Sequence, residues 1–182
     1  MYDATHISSM IPDKNLIKLR FEKAAATYEQ QAVVQARVAT LLLNLLQKAV
    51  PDLKPADVLE IGCCTGLLTE KTLSRFPGIE HFTLCDLVAS FEQHVCRRIG
   101  VHAHKLTFLP GDIETVPLPD RYDLVISSST LHWVYDLPGL CAKLYGHLYP
   151  DSILAFSLYG TDNLREIRTI AGKGLNYRTL EQ

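Results

Sequence analysis

Beyond Pro51 and Pro55 the sequence settles into a regular alternation. The short β-rich runs DVLEI, EHFTLCD, LTFLP, YDLVISS and ILAFSLY are separated by helical patterns at 65–76, 87–99 and 136–148. Such alternation builds βαβ units and a parallel sheet with helices on both faces. VLEI and LVIS are almost continuously apolar, as central strands covered on both sides must be. The segment 14–50 is different: it is rich in Ala, Leu, Gln, Glu and Lys, with Val34, Val38, Leu41, Leu42 and Leu45 at helical spacing, and predicts one or two helices. The expected fold class is therefore α/β, a Rossmann-like doubly wound, mostly parallel sheet preceded by N-terminal helices.

With 182 residues, 47% of them hydrophobic, the chain suits a single domain over 1–182. The net charge of -2 and the lack of any Lys/Arg block give no reason to expect nucleic acid as a partner. The most apolar run, 38–50, is interrupted by Asn44, Gln47 and Lys48, well short of the roughly 20 apolar residues a bilayer span needs, so no membrane partner is expected. The opening MYDATHISSMIPDK is no secretory signal, and a soluble cytoplasmic protein is the expectation. The five cysteines form no CxxC pair and no metal-ligand spacing, so reduced thiols and no metal are expected.

The first β run ends in DVLEIGCCTGL, a strand passing through a small-residue turn into a helix. In α/β sheets that place is the ligand crevice. The dinucleotide fingerprint would need glycine where Cys64 and Leu67 stand, so a pyrophosphate loop is poorly supported. What fits is an acidic-x-Gly-x-x-x-Gly turn, Glu60 to Gly66, with Asp86 closing the next strand and Asp112 the one after. A carboxylate can accept hydrogen bonds from two ribose hydroxyls. Asp112 suits an amino group on a base, and Leu87 and Ile113 offer apolar walls for its ring. Three acids with nothing cationic beside them suit a nucleoside lacking phosphates. Taken singly, the glycines also fit a tight βα connection, and Asp86 a helix N-cap.

As a set over residues 57 to 159, these motifs resemble the class I S-adenosylmethionine-dependent methyltransferases. FEKAAATYEQQAVVQ, SSSTLHWV and DNLREIRTIAGKGLNY narrow the likeness to the BioC family, the malonyl-acyl carrier protein O-methyltransferases of biotin synthesis. The resemblance implies S-adenosylmethionine as cofactor and malonyl-acyl carrier protein as substrate. It puts the methionine part against Glu60, Gly62, Cys64 and Gly66, the ribose on Asp86, the adenine between Leu87, Asp112 and Ile113, and the sulfonium beside Ser127 and Ser128. Residues 1–50 become a helical lid, 56–160 the cofactor-binding core and 161–182 the start of an active-site cover. Tyr28 is a lid residue that positions the reactants, or a core aromatic; Trp133 walls the acyl pocket, or packs with Leu131 and Leu137. Arg165 and Arg168 offer a cationic face to the substrate carboxylate or carrier, or form a solvated helix face. His132 receives no role, because an ionised carboxylate needs no base.

Two departures from the family pattern stand out. Cys64 occupies a usual glycine position, where a left-handed backbone would cost about 1–3 kcal/mol. After ILAFSLY the family adds two further strands, so the expected sheet lacks its last two strands and leaves an apolar edge. The other readings are a different small-molecule methyltransferase and a catalytically silent cofactor-binding module.

Overall fold

The computed structural model describes residues 8–10, 12–171, 173–175 and 177. The expected opening 1–7 and the tail 178–182 of the expected cover lie outside the described residues. Five strands form one wholly parallel sheet: β2 (Asp57–Ile61), β3 (His81–Asp86), β4 (Leu106–Pro110), β5 (Tyr122–Ser128) and β6 (Leu148–Ser157), in the order β4-β3-β2-β5-β6. The chain runs outward from β2 to β4, then crosses back to place β5 on the other side of β2. The loops after β2 and β5 therefore part, and a crevice opens at the carboxyl ends of those strands.

Side-chain alternation divides the core into two layers. Val58, Phe82, Leu84, Leu124 and Ile126 face α3 (Val33–Ala49), α4 (Leu67–Arg75) and α5 (Phe91–Ile99) through Leu43, Leu46, Leu68, Leu73 and Val95. Leu59, Ile61, Cys85 and Val125 face α6 (Leu137–Tyr145) through Leu137, Leu140 and Leu144. Each helix has a local reason to begin or end. Asp136 caps α6 by accepting from the Gly139 N–H at 2.9 Å, and α3 stops before Pro51.

The N-terminal region yields three helices rather than one or two: α1 (Lys14–Ala24), α2 (Tyr28–Gln31) and α3. Only α3 enters the core, burying Ala39, Leu43 and Leu46, whereas α1 and α2 bury no residue. Within the segment 1–50, α3 packs its apolar face on the sheet, while α1 and α2 lie outside the core. α5 starts at Phe91 instead of Leu87, since an Asp86 oxygen bonds the Val88 N–H and keeps 87–90 as a loop; Asp86 is no N-cap. β6 begins at Leu148, earlier than ILAFSLY suggests, and absorbs Pro150 and a left-handed Asp151 through a bulge on the sheet edge. A second small parallel pair joins β1 (Ser8–Met10) to β7 (Lys173–Leu175), the segment after α7 (Arg165–Ala171).

Candidate functional site

The carboxyl ends of β2, β3, β4 and β5, roofed by α1 and Tyr28, enclose a cleft with about 740 Å³ of empty space, part of it open to solvent. Its floor is the turn after β2. Gly62 (φ +78°), Cys64 (φ +47°) and Gly66 (φ +86°) all lie in the left-handed region. The glycines adopt it freely; Cys64 does not, at a cost of about 1–3 kcal/mol. A Cβ on Gly62 would sit 2.2 Å from the Thr130 hydroxyl oxygen, so the residue also has to be small. The turn is held from the neighbouring strand: the Gly62 N–H donates to the Cys85 carbonyl at 2.8 Å and the Cys64 N–H to Asp86 Oδ2 at 2.9 Å.

Asp86 is the pivot of the site. Its other oxygen accepts from the Val88 N–H at 2.9 Å, and its carboxylate borders the cleft beside Leu87 and Val88. Burial pushes its pKa up to about 6, with the two N–H donors opposing. It is therefore ionised at neutral pH, and each oxygen keeps acceptor capacity for a hydroxyl in the cleft.

The third acid is not alone. Lys14, in the first turn of α1, reaches Asp112 Oδ2 at 2.6 Å and also pairs with Glu114, while its ammonium lies 4.3 Å from the centre of the Tyr135 ring. The expectation of acids with nothing cationic beside them is corrected here. The lysine comes from 98 residues away, a separation at which a linear sequence carries no pairing signal. Against the opposing effect of burial, the Lys14 contact and the Tyr135 and Asp136 N–H groups hold Glu114 below the usual carboxylate range. α1 is thereby fastened to the β4 side of the cleft.

Of the residues singled out in the sequence, Tyr28, Gly62, Cys64, Asp86, Leu87, Asp112, Ile113, Ser128 and Trp133 come together around the cleft. Glu60, Gly66 and Ser127 do not line it. Ser127 is fully buried and donates to the Ile61 carbonyl at 2.9 Å, tying β5 to β2. Glu60 is fully buried, neither oxygen has a well-formed hydrogen bond among the described residues, and burial, opposed by the nearby Thr69 hydroxyl and reinforced by Asp86, pushes its pKa up to about 8. Gly66 starts α4. Arg165 and Arg168 stand away from the cleft. Arg165 is exposed, 3.9 Å from Asp162, and Arg168 turns back to donate to the Thr161 carbonyl at 2.6 Å.

Sequence reasoning missed several lining residues: Lys14, Ile17, Lys18 and Phe21 of α1, and Ser129 and Thr130 after β5. Ser129 (φ +55°) has a buried hydroxyl without a hydrogen-bond partner among the described residues. The run SSST carried a signal for these last two, since a polar small-residue string after an apolar strand marks the loop end of the sheet. His132 lies behind the wall, its ring 4.7 Å from Trp133 and 5.0 Å from Tyr159, and burial lowers its pKa to about 4.

A family profile described as "Methyltransferase domain" matches residues 59–156, more than half of the 182-residue chain and the whole span from the glycine turn to the last sheet strand. The chain belongs to the methyltransferase domain family. Among its relatives, the malonyl-acyl carrier protein O-methyltransferase of Chlorobium phaeovibrioides is 37% identical over 178 residues, covering 96% of this chain and 67% of that protein. The protein of the same name from Calditerrivibrio nitroreducens is 38% identical over 175 residues, covering 95% and 64%. The chain thus spans about two thirds of the length of these curated relatives. The fold is shared with N-methyltransferase NodS from Bradyrhizobium japonicum WM9 in complex with S-adenosyl-L-homocysteine. That likeness has a TM-score of 0.67 at 18% identity over 85% of this chain and 83% of the other. An S-adenosylmethionine-dependent methyltransferase from Clostridium acetobutylicum gives 0.63, also at 18% identity, over 81% and 61%. Among the described residues, no helix is long and apolar enough to cross a membrane.

Proposed function

We propose that this methyltransferase binds S-adenosylmethionine in the cleft and methylates the free carboxylate of a malonyl thioester on acyl carrier protein, an early step of biotin synthesis. The observation that carries the cofactor reading is Asp86: a buried, ionised carboxylate pinned by two backbone N–H groups and bordering the cleft beside apolar walls. Its free lone pairs suit a ribose diol. Leu87 and Ile113 supply apolar walls for adenine, and Asp112 accepts from an amino group while sharing Lys14. The unpartnered Ser129 hydroxyl and Ser128 lie on the β5 side, where Trp133 and Tyr28 close the wall. Glu60 and Gly66 serve the methionine end indirectly, by shaping the turn. The malonyl acceptor is supported by the shared name of the relatives at 37% and 38% identity.

When bound, the cofactor supplies an electrophilic methyl group. A malonyl carboxylate is ionised at neutral pH and is already a nucleophile, so the chain's own residues have no proton to move. His132, held neutral behind the wall, fits that requirement. What α1, Tyr28 and Trp133 provide is alignment and exclusion of water. Burial, with the nearby Cys64 sulfur next, pushes the Tyr28 hydroxyl far above its ordinary pKa, so it remains a neutral hydrogen-bond donor.

Transfer of labelled methyl from S-adenosylmethionine to malonyl-acyl carrier protein, with acetyl-acyl carrier protein alongside, tests the reading. Labelling of the malonyl form alone is the expected result; labelling of neither, or of both equally, contradicts it. A second reading, a cofactor-binding module without transfer, is favoured by Cys64, whose thiol borders the cleft from a strained backbone. It predicts cofactor binding with no labelled acceptor.

A further inference from the structure

The last turn of α5 carries a guanidinium that the cleft's lining does not include. Arg98 Nε donates to the carbonyl of Thr65, inside the glycine turn, at 2.9 Å. Its Nη1 donates to Glu70 Oε2 of α4 at 2.9 Å, and its Nη2 lies 2.5 Å from Glu29 Oε1 of α2, the residue next to Tyr28. One planar group therefore touches the cofactor turn, the helix that follows it and the short helix that roofs the cleft. The side chain is mostly buried, 16% exposed, while both carboxylates are about half exposed. A Cβ at Gly66 would come within 3.3 Å of Arg98 Cδ and of a Val95 methyl carbon, so the glycine lets α5 approach closely enough for the stem to lie against the turn.

Among the described residues, α2 makes few other contacts through its own side chains. It is four residues long, has no side-chain cap and buries no residue. Among the described residues its other ties include the Tyr28 ring against Phe21, with centroids 6.1 Å apart, the proximity of Cys64 and Tyr159, and the buried Ala32 at its C-terminal end. A helix this short does not persist by itself in water.

We infer that Arg98 is a positioning residue that couples occupation of the cofactor turn to closure of Tyr28 over it, through simultaneous bonds to the Thr65 carbonyl and Glu29. The inference rests on the proposed function of the cleft. Arg suits this task because its five donors form a rigid fork; a lysine ammonium cannot span the same three acceptors. Ligand that rigidifies the turn fixes the guanidinium, and the fixed guanidinium holds α2.

Hydrogen exchange at residues 28–31, with and without saturating S-adenosylmethionine, reads the coupling directly, with calorimetry reporting binding. In the unaltered protein the cofactor slows exchange there by about tenfold, as a coupling of ordinary size would do. Glu29→Gln and Arg98→Lys still bind, but the slowing falls to about twofold or less. With malonyl-acyl carrier protein as acceptor, Glu29→Gln lowers kcat more than it raises the cofactor KM. A merely structural arginine would shift thermal stability and cofactor affinity together and leave the ligand-induced slowing intact. Full slowing in both variants therefore overturns the inference alone. Failure of the unaltered protein to bind overturns it together with the functional reading.

Discussion

The sheet and its N-terminal cover meet at one cleft but are held by different forces. The sheet side is stabilised by apolar burial: Val58, Leu59, Phe82, Leu84, Leu124, Val125 and Ile126 are wholly inaccessible. The cover side buries nothing in α1 or α2 and is fastened by two ion-pair anchors, Lys14 to Asp112 and Glu114, and Glu29 to Arg98. Ionic screening weakens charge pairs and leaves apolar burial unscreened. A binding site made from one rigid and one loosely tethered wall can admit a ligand and then close without disturbing the core.

The largest expected effect attacks the rigid wall. Gly62→Ala combines a positive φ with a 2.2 Å encounter with Thr130, and a loss of about 4 kcal/mol in global stability follows by denaturant titration. An unchanged midpoint would mean that the turn is as pliable as the cover.

Glu60 makes the same wall sensitive to pH. Its folded pKa, about 8, lies above the model-compound value of 4.5, so the folded state holds the proton more tightly. The stabilisation is complete below pH 4.5 and is lost as pH rises through 8. Asp86 contributes in the same direction, but only up to about pH 6. Between pH 6 and 8.5 the protein should lose about 3 kcal/mol, and Glu60→Gln should flatten that slope, as judged by urea unfolding at several pH values. A variant with the original slope would place the proton elsewhere.

Cys64 sits where the two walls meet. Cys64→Gly releases the strain at φ +47° and should tighten S-adenosylmethionine binding by about tenfold in a calorimetric titration. Equal or weaker binding would show that the thiol is harmless or helpful. The smallest effect belongs to the cover: Lys14→Met should cost less than about 1 kcal/mol of global stability while accelerating proteolysis within α1 several-fold. A large global loss would contradict the division between the walls.

That division also governs what could be read from the sequence. DVLEI, LTFLP and YDLVISS became β2, β4 and β5 with the same bounds, because short β-rich runs bounded by turn residues declare themselves whether the strand is central, as β2 and β5 are, or at the sheet edge, as β4 is. Asp86 and Gly62 were legible because strand ends and left-handed turns leave chemical signatures. The breaks near Ala25–Thr27 and Ala32 were not, since alanine-rich sequence carries no stop signal and the helices yield to tertiary geometry. Nor were Lys14 beside Asp112 or Arg98 beside Thr65 and Glu29: an ion pair between distant segments has no periodicity to detect. Glu60 illustrates a further gap, because its place at a strand end suggested contact with ligand, while the alternation of the strand turns it into the core beneath α4. Arg165 and Arg168 resemble a cationic face only until Arg168 folds back on its own loop.

The central claim is that Asp86 grips a nucleoside between the two walls. Isothermal titration of S-adenosylmethionine into the unaltered protein and into Asp86→Ala, side by side at pH 7.5 after circular dichroism has verified folding, addresses it most directly. Single-site binding that weakens at least tenfold in the variant is the predicted result. No binding by the unaltered protein, or equal binding by a folded Asp86→Ala, would contradict the account.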